Sequence, residues 1–257
     1  MLALLVGCAR GPARPDEPPT GPRGRKEVIQ AVLPSNVRVA VLEAGEAVRL
    51  ASGVVLRSGA STAWVITNAH VAAHALRGRA LEVWVGPEGE EVRHPARVVA
   101  LGEEPDMDLA VLEVEGLSAP AARLADEDIE VGDDLVAVAA PYGRGLSVST
   151  GIVSQFGRDA KKGWRLKTDA PIGYGASGGG LFRASDGALL GVVEGYRTAR
   201  LELPAGDRSL SFEVPMPGET FAAPAPKIRA FVRQHGLGHL LDDTATAARW
   251  THAETAP

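Results

Sequence analysis

Short runs of strand-forming residues, each closed by turn residues, are the feature that most constrains the fold of this 257-residue chain. The runs are rich in β-branched residues, and the Gly, Pro, Asn and Asp between them favour turns. Twelve runs at this spacing favour a β-sandwich or a β-barrel over alternating β/α units. They are Val37–Leu42, Gly53–Leu56, Ala63–Thr67, Leu81–Val85, Val92–Leu101, Leu109–Val114, Asp134–Ala139, Ser147–Ser154, Gly163–Thr168, Gly180–Arg183, Leu189–Glu194 and Ser211–Val214.

The segments outside these runs differ from them in character. Residues 9–27 contain five prolines and no hydrophobic period, which predicts a disordered tether. The stretch Ala119–Asp133 has the composition of a connector between two halves. A helix is predicted from Pro226 to Gly236, because three apolar residues there share one face: Ile228, Phe231 and Val232. Within residues 218–257, the part after this helix is expected to be a loose tail.

Three segments carry the groups of a nucleophilic mechanism. His70 follows a β-rich run and a small residue, so its imidazole is expected at the mouth of the domain. Asp108 directly precedes a fully apolar strand, where a partly buried carboxylate can orient a histidine ring. Ser177 lies in a glycine-rich turn that lets the amides of Gly175 and Ser177 point at one spot, as in an oxyanion hole. A serine needs such a base, and the base needs such a third group, to react at neutral pH.

Other interpretations of these residues are weaker. Asp106 competes for the role of Asp108 but does not abut the strand, and Ser177 alone is also typical of an ordinary turn. His70 and His74 are four residues apart, yet no glutamate follows the first histidine, so the zinc-protease motif fails. The G-x-S-x-G pattern around Ser177 would suit an α/β-hydrolase, but a poor helix start follows the serine and the best histidine lies upstream.

Taken together, the motifs resemble the Do-like/HtrA (DegP-type) branch of the trypsin-like serine peptidases across residues 35–217. The matching segments occur in one order: Ser52–Val55, Thr67–Val71, Asp108–Leu112, Val131–Asp133, Ala140–Gly143, Ser149–Ser154, Thr168–Ile172, Gly175–Gly179, Gly191 and Phe212–Pro215. The resemblance implies an all-β chain with two antiparallel six-stranded β-barrels and a short C-terminal helix. The first barrel is then expected within residues 28–118, and the connector and second barrel within residues 119–217.

The same resemblance implies a serine endopeptidase without a metal or organic cofactor, acting on exported or misfolded polypeptides through an acyl-enzyme. It places the specificity pocket near Pro171–Tyr174 and Val192–Glu194, with Pro171, Ile172, Val193 and Glu194 as its candidate residues. A small or apolar preference is expected unless Glu194 admits a basic side chain. The family usually carries Asn or Asp before the serine, whereas Ala176 stands here. A second hypothesis is therefore a catalytically impaired barrel protein that binds peptides or partners. Too few residues follow the second barrel for a PDZ domain, so a bare protease domain is expected.

The N-terminus and the overall charge bear on where the chain acts. The apolar run within residues 1–8 ends in Leu5-Val6-Gly7-Cys8, which resembles a bacterial lipobox and implies lipidation of Cys8. The protein would then be an outer-membrane lipoprotein facing the periplasm or the surface, although a spare thiol in an ordinary apolar N-terminus fits the same residues. Cys8 is the only cysteine, so no intramolecular disulfide forms. The net charge of −5 gives no reason to expect a nucleic-acid partner.

Overall fold

The computed structural model describes residues 24–126, 128–159, 163–205 and 208–241. Residues 1–8 with Cys8, most of the predicted tether and the tail from residue 242 lie outside the described residues. The described chain contains twelve strands and three α-helices. The helices are α1 (Arg25–Val32), α2 (Ala69–Ala72) and α3 (Ala225–Gln234).

The strands form two closed antiparallel barrels of six strands each, in the orders β1-β2-β3-β6-β5-β4 and β10-β11-β12-β9-β8-β7. This confirms the predicted fold class and all twelve runs. The first barrel comprises β1 (Asn36–Glu43), β2 (Glu46–Ser58), β3 (Thr62–Thr67), β4 (Ala80–Val85), β5 (Val92–Leu101) and β6 (Ala110–Glu115). The second comprises β7 (Asp134–Ala139), β8 (Ser147–Asp159), β9 (Gly163–Thr168), β10 (Gly180–Arg183), β11 (Leu189–Ala205) and β12 (Arg208–Pro224).

Each barrel has its own apolar interior, and a third cluster joins them. Val39 and Val65 belong to the interior of the first barrel, and Leu166 and Leu181 to that of the second. The joining cluster takes side chains from strands of both barrels and from α3, including Ile66, Val138 and Phe231. Because these side chains are buried only when the barrels are docked, the hydrophobic effect fixes the two barrels against each other.

A buried cation also links the barrels. The Arg38 guanidinium, 2% exposed, pairs with the Glu91 carboxylate at 3.0 Å, bonds the Gly86 carbonyl, and lies 3.5 Å from the Gly143 carbonyl of the second barrel. The amide of Gly89 and the Arg38 guanidinium hold the pKa of Glu91 down at about 2. The carboxylate is therefore charged at neutral pH and keeps the buried arginine paired.

Two elements differ from the sequence predictions. Helix α1, which was not predicted, begins within the expected tether and buries Val28 and Val32 beside Gly187 of the second barrel. Strands β11 and β12 run well past the barrel as a two-stranded ribbon, in which Leu201 pairs with Phe212 and Leu203 with Leu210. These four side chains are about half exposed. The predicted C-terminal helix is confirmed as α3, which buries Ile228, Phe231 and Val232.

Candidate active site

The pairing of two neighbouring strands brings His70 and Asp108 together. Thr67, the last residue of β3, lies opposite Ala110, the first residue of β6. His70 follows this pair by three residues and Asp108 precedes it by two, so both leave the same end of the barrel. Because α2 starts immediately after β3, it turns the His70 side chain back towards the start of β6.

The contacts between these two residues are close. The His70 ring Nδ1 lies 2.8 Å from Asp108 Oδ2, and the His70 backbone N–H donates to Oδ1 at 3.0 Å. Asn68 donates its side-chain amide to the Asp108 carbonyl at 2.9 Å. With Nδ1 facing a carboxylate, the ring proton belongs on Nδ1, which leaves Nε2 as an acceptor. Asp106, the alternative carboxylate, is exposed.

The loop that carries Ser177 is held by its carbonyl groups. The Tyr174 carbonyl accepts from the Tyr142 N–H, the Ala176 carbonyl from the Gly179 N–H, and the Ser177 carbonyl from the Ser52 N–H. In a trans peptide the N–H points opposite to the C=O. The Gly175 and Ser177 N–H groups therefore point away from these anchors, and neither has a hydrogen-bond partner among the described residues.

Glycine is required at two places in this loop. Gly175 has φ +87° and Gly178 has φ +86°, a region that L-residues with a side chain rarely adopt. A Cβ on Gly178 would lie 2.0 Å from the Ser52 carbonyl oxygen. The loop thus packs its backbone directly against β2 of the first barrel. Ala176 is buried, and its N–H bonds the Gly173 carbonyl at 3.1 Å, so the turn forms with no polar side chain at that position.

His70, Ser177 and Gly175 line a common cavity of about 520 Å³ between the barrels. The Ser177 hydroxyl and the His70 ring, both described, form no hydrogen bond with each other. Such nucleophile–base contacts are often long until substrate is in place. The cavity wall therefore carries a serine hydroxyl, an imidazole and two free backbone amides.

Of the four predicted specificity residues, one lines the cavity that contains Ser177. Ile172 lines the cavity together with the neighbouring Gly173 and Tyr174, whereas Pro171, Val193 and Glu194 do not. Val193 is fully buried in the second barrel. Glu194 lines a second cavity of about 340 Å³ that also includes Asp108 and Arg165.

The charge of Glu194 is already compensated. Its carboxylate lies 2.9 Å from the Lys227 ammonium and 3.5 Å from the Arg165 guanidinium. Its side chain is 11% exposed. These two cations neutralise it, so it does not provide a free anion for a basic substrate side chain.

Two tyrosines of the cavity, Tyr142 and Tyr196, were missed by the sequence analysis, whereas Tyr174 lies within the predicted range Pro171–Tyr174. The chain has three tyrosines, Tyr142, Tyr174 and Tyr196, and all three line the cavity that contains Ser177. Burial, with the neighbouring Tyr174, raises the pKa of Tyr196 to about 12. A signal was present in the sequence, because each of the three tyrosines is next to a glycine.

Arg49 also lines the cavity that contains Ser177. Arg49 bonds the His70 carbonyl at 3.3 Å and the His74 Nε2 at 2.9 Å. Burial and the cations Arg49 and Arg79 lower the pKa of His74. Within the described ranges, no group of three or more His, Cys, Asp and Glu side chains is arranged to hold a metal ion.

The fold and these residues define a class of protein, and comparison with known proteins agrees with it. The chain belongs to the trypsin-like peptidase domain family, whose profile matches residues 51–192, including His70, Asp108 and Ser177. Within this class, the predicted relationship to the DegP/HtrA type is confirmed. The probable periplasmic serine endoprotease DegP-like of Ectopseudomonas mendocina is 34% identical over 175 residues, covering 66% of this chain and 34% of the relative.

Other relatives give the same result. Periplasmic serine endoprotease DegP of Salmonella typhimurium is 34% identical over 172 residues, covering 65% of this chain and 33% of that protein. The chain thus spans about a third of the length of the curated relatives it matches. The HtrA-type protease AlgW, solved with a tripeptide, is 26% identical with a TM-score of 0.64, covering 84% of this chain and 64% of that one.

A structure of a serine endoprotease from Yersinia pestis shares the fold, with 24% identity, a TM-score of 0.62 and coverage of 87% of this chain and 68% of that one. No helix in the described part of the chain is both long enough and apolar enough to cross a bilayer.

Proposed function

We propose that this chain is a serine endopeptidase in which Ser177 is the nucleophile, His70 the general base and acid, and Asp108 the group that orients His70. The observation that carries the proposal is the 2.8 Å contact between Asp108 and His70, whose side chain lines the same cavity as Ser177. Family membership supports the same chemistry.

The reaction follows from these groups. His70 Nε2 takes the proton of the Ser177 hydroxyl as the oxygen attacks a peptide carbonyl, and Asp108 stabilises the imidazolium that forms. The free N–H groups of Gly175 and Ser177 receive the oxyanion. His70 then gives its proton to the leaving amine, and water releases the acyl group from Ser177 by the same steps in reverse.

The substrates are proposed to be exported or misfolded polypeptides with an apolar side chain at the cleaved bond. The cavity wall supports this, because Ile172 and the tyrosines Tyr174 and Tyr196 provide apolar surface. The neutralised Glu194 leaves a basic side chain without a partner. The relatives named as periplasmic support action in the cell envelope.

Lipidation of Cys8 is proposed as the anchor that holds the protein there. Metabolic labelling with a fatty-acid probe tests it directly: the wild-type protein should carry the label, and Cys8→Ser should not. An unlabelled wild-type protein would remove the anchor while leaving the peptidase proposal untouched.

Hydrolysis of casein and covalent labelling by a fluorophosphonate test the peptidase proposal. Both should occur with the wild-type protein, and Ser177→Ala should abolish labelling and lower hydrolysis at least about 10⁴-fold. Ser149→Ala is the matched control, because this exposed hydroxyl bonds the Pro171 carbonyl and is not part of the reacting set.

A second function, peptide binding without hydrolysis, is kept because no hydrogen bond joins Ser177 to His70. It predicts casein binding that Ser177→Ala leaves intact, with neither cleavage nor fluorophosphonate labelling of the wild-type protein. Cleavage by the wild-type protein that is lost in Ser177→Ala excludes this alternative.

A further inference from the structure

Ser52 lies where the first barrel meets the loop that carries Ser177. Strand β3 pairs with β2 only from Val54 onwards, so the edge of β2 at Ser52 is not covered by β3. The Ser52 N–H donates instead to the Ser177 carbonyl of the second barrel at 2.8 Å. The loop that carries Ser177 in the second barrel therefore provides the hydrogen-bond acceptor that β3 does not provide at this edge of β2.

The Ser52 side chain bridges two further parts of the second barrel. Its hydroxyl donates to the Gly175 carbonyl at 2.8 Å and accepts the N–H of Ala140, at the end of β7, at 2.9 Å. Its own carbonyl accepts the Thr67 hydroxyl at 2.8 Å, close to the start of α2. Ser52 is 1% exposed, and each of its polar atoms has a partner in or beside the site.

We propose that Ser52 is a positioning residue for the oxyanion hole, acting through the Gly175 carbonyl. This inference rests on the proposed peptidase function. Gly175 lies between two peptide groups, and both must be fixed to aim its N–H. The Tyr142 N–H holds the peptide before it, and the Ser52 hydroxyl holds the peptide after it.

Two observations make this role specific. The Ala176 side chain has no polar atom, so it cannot bond the loop from within. Gly178 is in van der Waals contact range of the Ser52 carbonyl, so the loop cannot approach β2 more closely to replace the lost hydroxyl. Removing the hydroxyl therefore leaves the Gly175 carbonyl without its donor. The peptide that contains this carbonyl is then held only by the Ala176 N–H, which bonds the Gly173 carbonyl within the same turn at 3.1 Å.

The experiment compares Ser52→Ala with Ser35→Ala in the whole 257-residue chain. Ser35 is a matched control because it is also a buried serine, 2% exposed, whose hydroxyl bonds a backbone carbonyl, that of Val32. We expect Ser52→Ala to lower kcat on a fluorogenic peptide about 10–100-fold, because a loosened donor costs less than its deletion at about 10²–10³. KM should change less than about threefold.

Two readouts separate positioning from a general loss of structure. The inhibition constant of a peptidyl boronate, whose adduct with Ser177 places an anion in the oxyanion hole, should rise by the factor by which kcat/KM falls. The pH dependence of kcat/KM should keep its acid limb, because the pair of His70 and Asp108 is untouched. Rates are divided by the fraction of protein that a fluorophosphonate labels.

The outcomes are distinct. An unchanged kcat and boronate inhibition constant in folded Ser52→Ala overturn the inference and leave the peptidase proposal intact, whereas an inert wild-type protein overturns both. If Ser52→Ala does not fold, Ser52→Cys keeps the shape with a much weaker hydrogen-bonding group. Full wild-type kcat in Ser52→Cys then overturns the inference, and a reduced kcat with unchanged KM supports it.

Discussion

Replacement of Gly178 by alanine tests how closely the loop that carries Ser177 packs against the first barrel. Gly178 follows Ser177 and has φ +86°. The added Cβ would lie 2.0 Å from the Ser52 carbonyl oxygen and 2.5 Å from the Thr67 hydroxyl. Because the closest atom belongs to the backbone of a barrel strand, no side-chain rotation can relieve the overlap.

Two costs add at this position. A positive φ in a residue with a side chain costs about 1–2 kcal/mol, and overpacking against a close-packed surface costs about 1–3 kcal/mol. Gly178→Ala should therefore lose about 2–5 kcal/mol of unfolding free energy, or about 4–20 °C in Tm for a domain of this size. Since the loop must move away from Ser52, kcat should fall about 100-fold or more.

Two other glycines separate these costs. Gly132 has φ +101° with open space around it, so Gly132→Ala carries the backbone cost alone. Gly157 has open space and no positive φ, so Gly157→Ala should be neutral or slightly stabilising. Of the three variants, Gly178→Ala should have the lowest Tm, measured by circular dichroism. It should also have the lowest kcat per fluorophosphonate-reactive molecule. A Gly178→Ala protein that melts with Gly132→Ala and keeps wild-type kcat would refute the packing argument.

Three further changes have expected results. Asp108→Asn should leave His70 without its carboxylate and lower kcat about 10³–10⁴-fold with little change in Tm; a loss below tenfold would contradict the role of Asp108. Glu91 has its pKa lowered from 4.5 to about 2, so the stability it adds above pH 4.5 is lost as the pH falls towards 2. Unfolding midpoints measured against pH should show a smaller drop across this window in Glu91→Gln, and an identical drop would argue against the pairing. Lys227→Met should cost about 2–4 kcal/mol in urea unfolding because it removes the closest cation from Glu194, whose side chain is only 11% exposed, and adding Glu194→Gln should restore most of it. A midpoint unchanged by Lys227→Met alone would show that the pair is not stabilising.

The sequence predicted those features whose cause is local. Each barrel strand has a run of β-branched residues closed by turn residues. This pattern can be recognised without knowing which strands lie next to it in the barrel. His70 and Asp108 were predicted as site residues because each borders such a run, and Ser177 because it lies in a glycine-rich turn. The same logic predicted α3, in which three buried residues repeat at helical spacing.

Features that depend on distant contacts were not predicted. Helix α1 has eight residues, too few to be stable alone, and it gains its stability by burying Val28 and Val32 against Gly187. The role of Ser52 comes from a loop more than a hundred residues away in the chain. The wall of the cavity likewise depends on where β11 leaves the barrel, which brings Tyr196 rather than Glu194 towards Ser177.

The proposed reacting groups are divided between the two barrels, so the proposed site exists only when the barrels are docked. A cut within residues 116–133 would give one fragment that carries the imidazole and another that carries the hydroxyl. Neither fragment alone could hydrolyse a peptide by the proposed mechanism. The peptidase activity regained on mixing the fragments would be proportional to the number of reassembled molecules. The two barrels thus resemble the halves of a split reporter enzyme, in which activity is measured only after the halves have assembled.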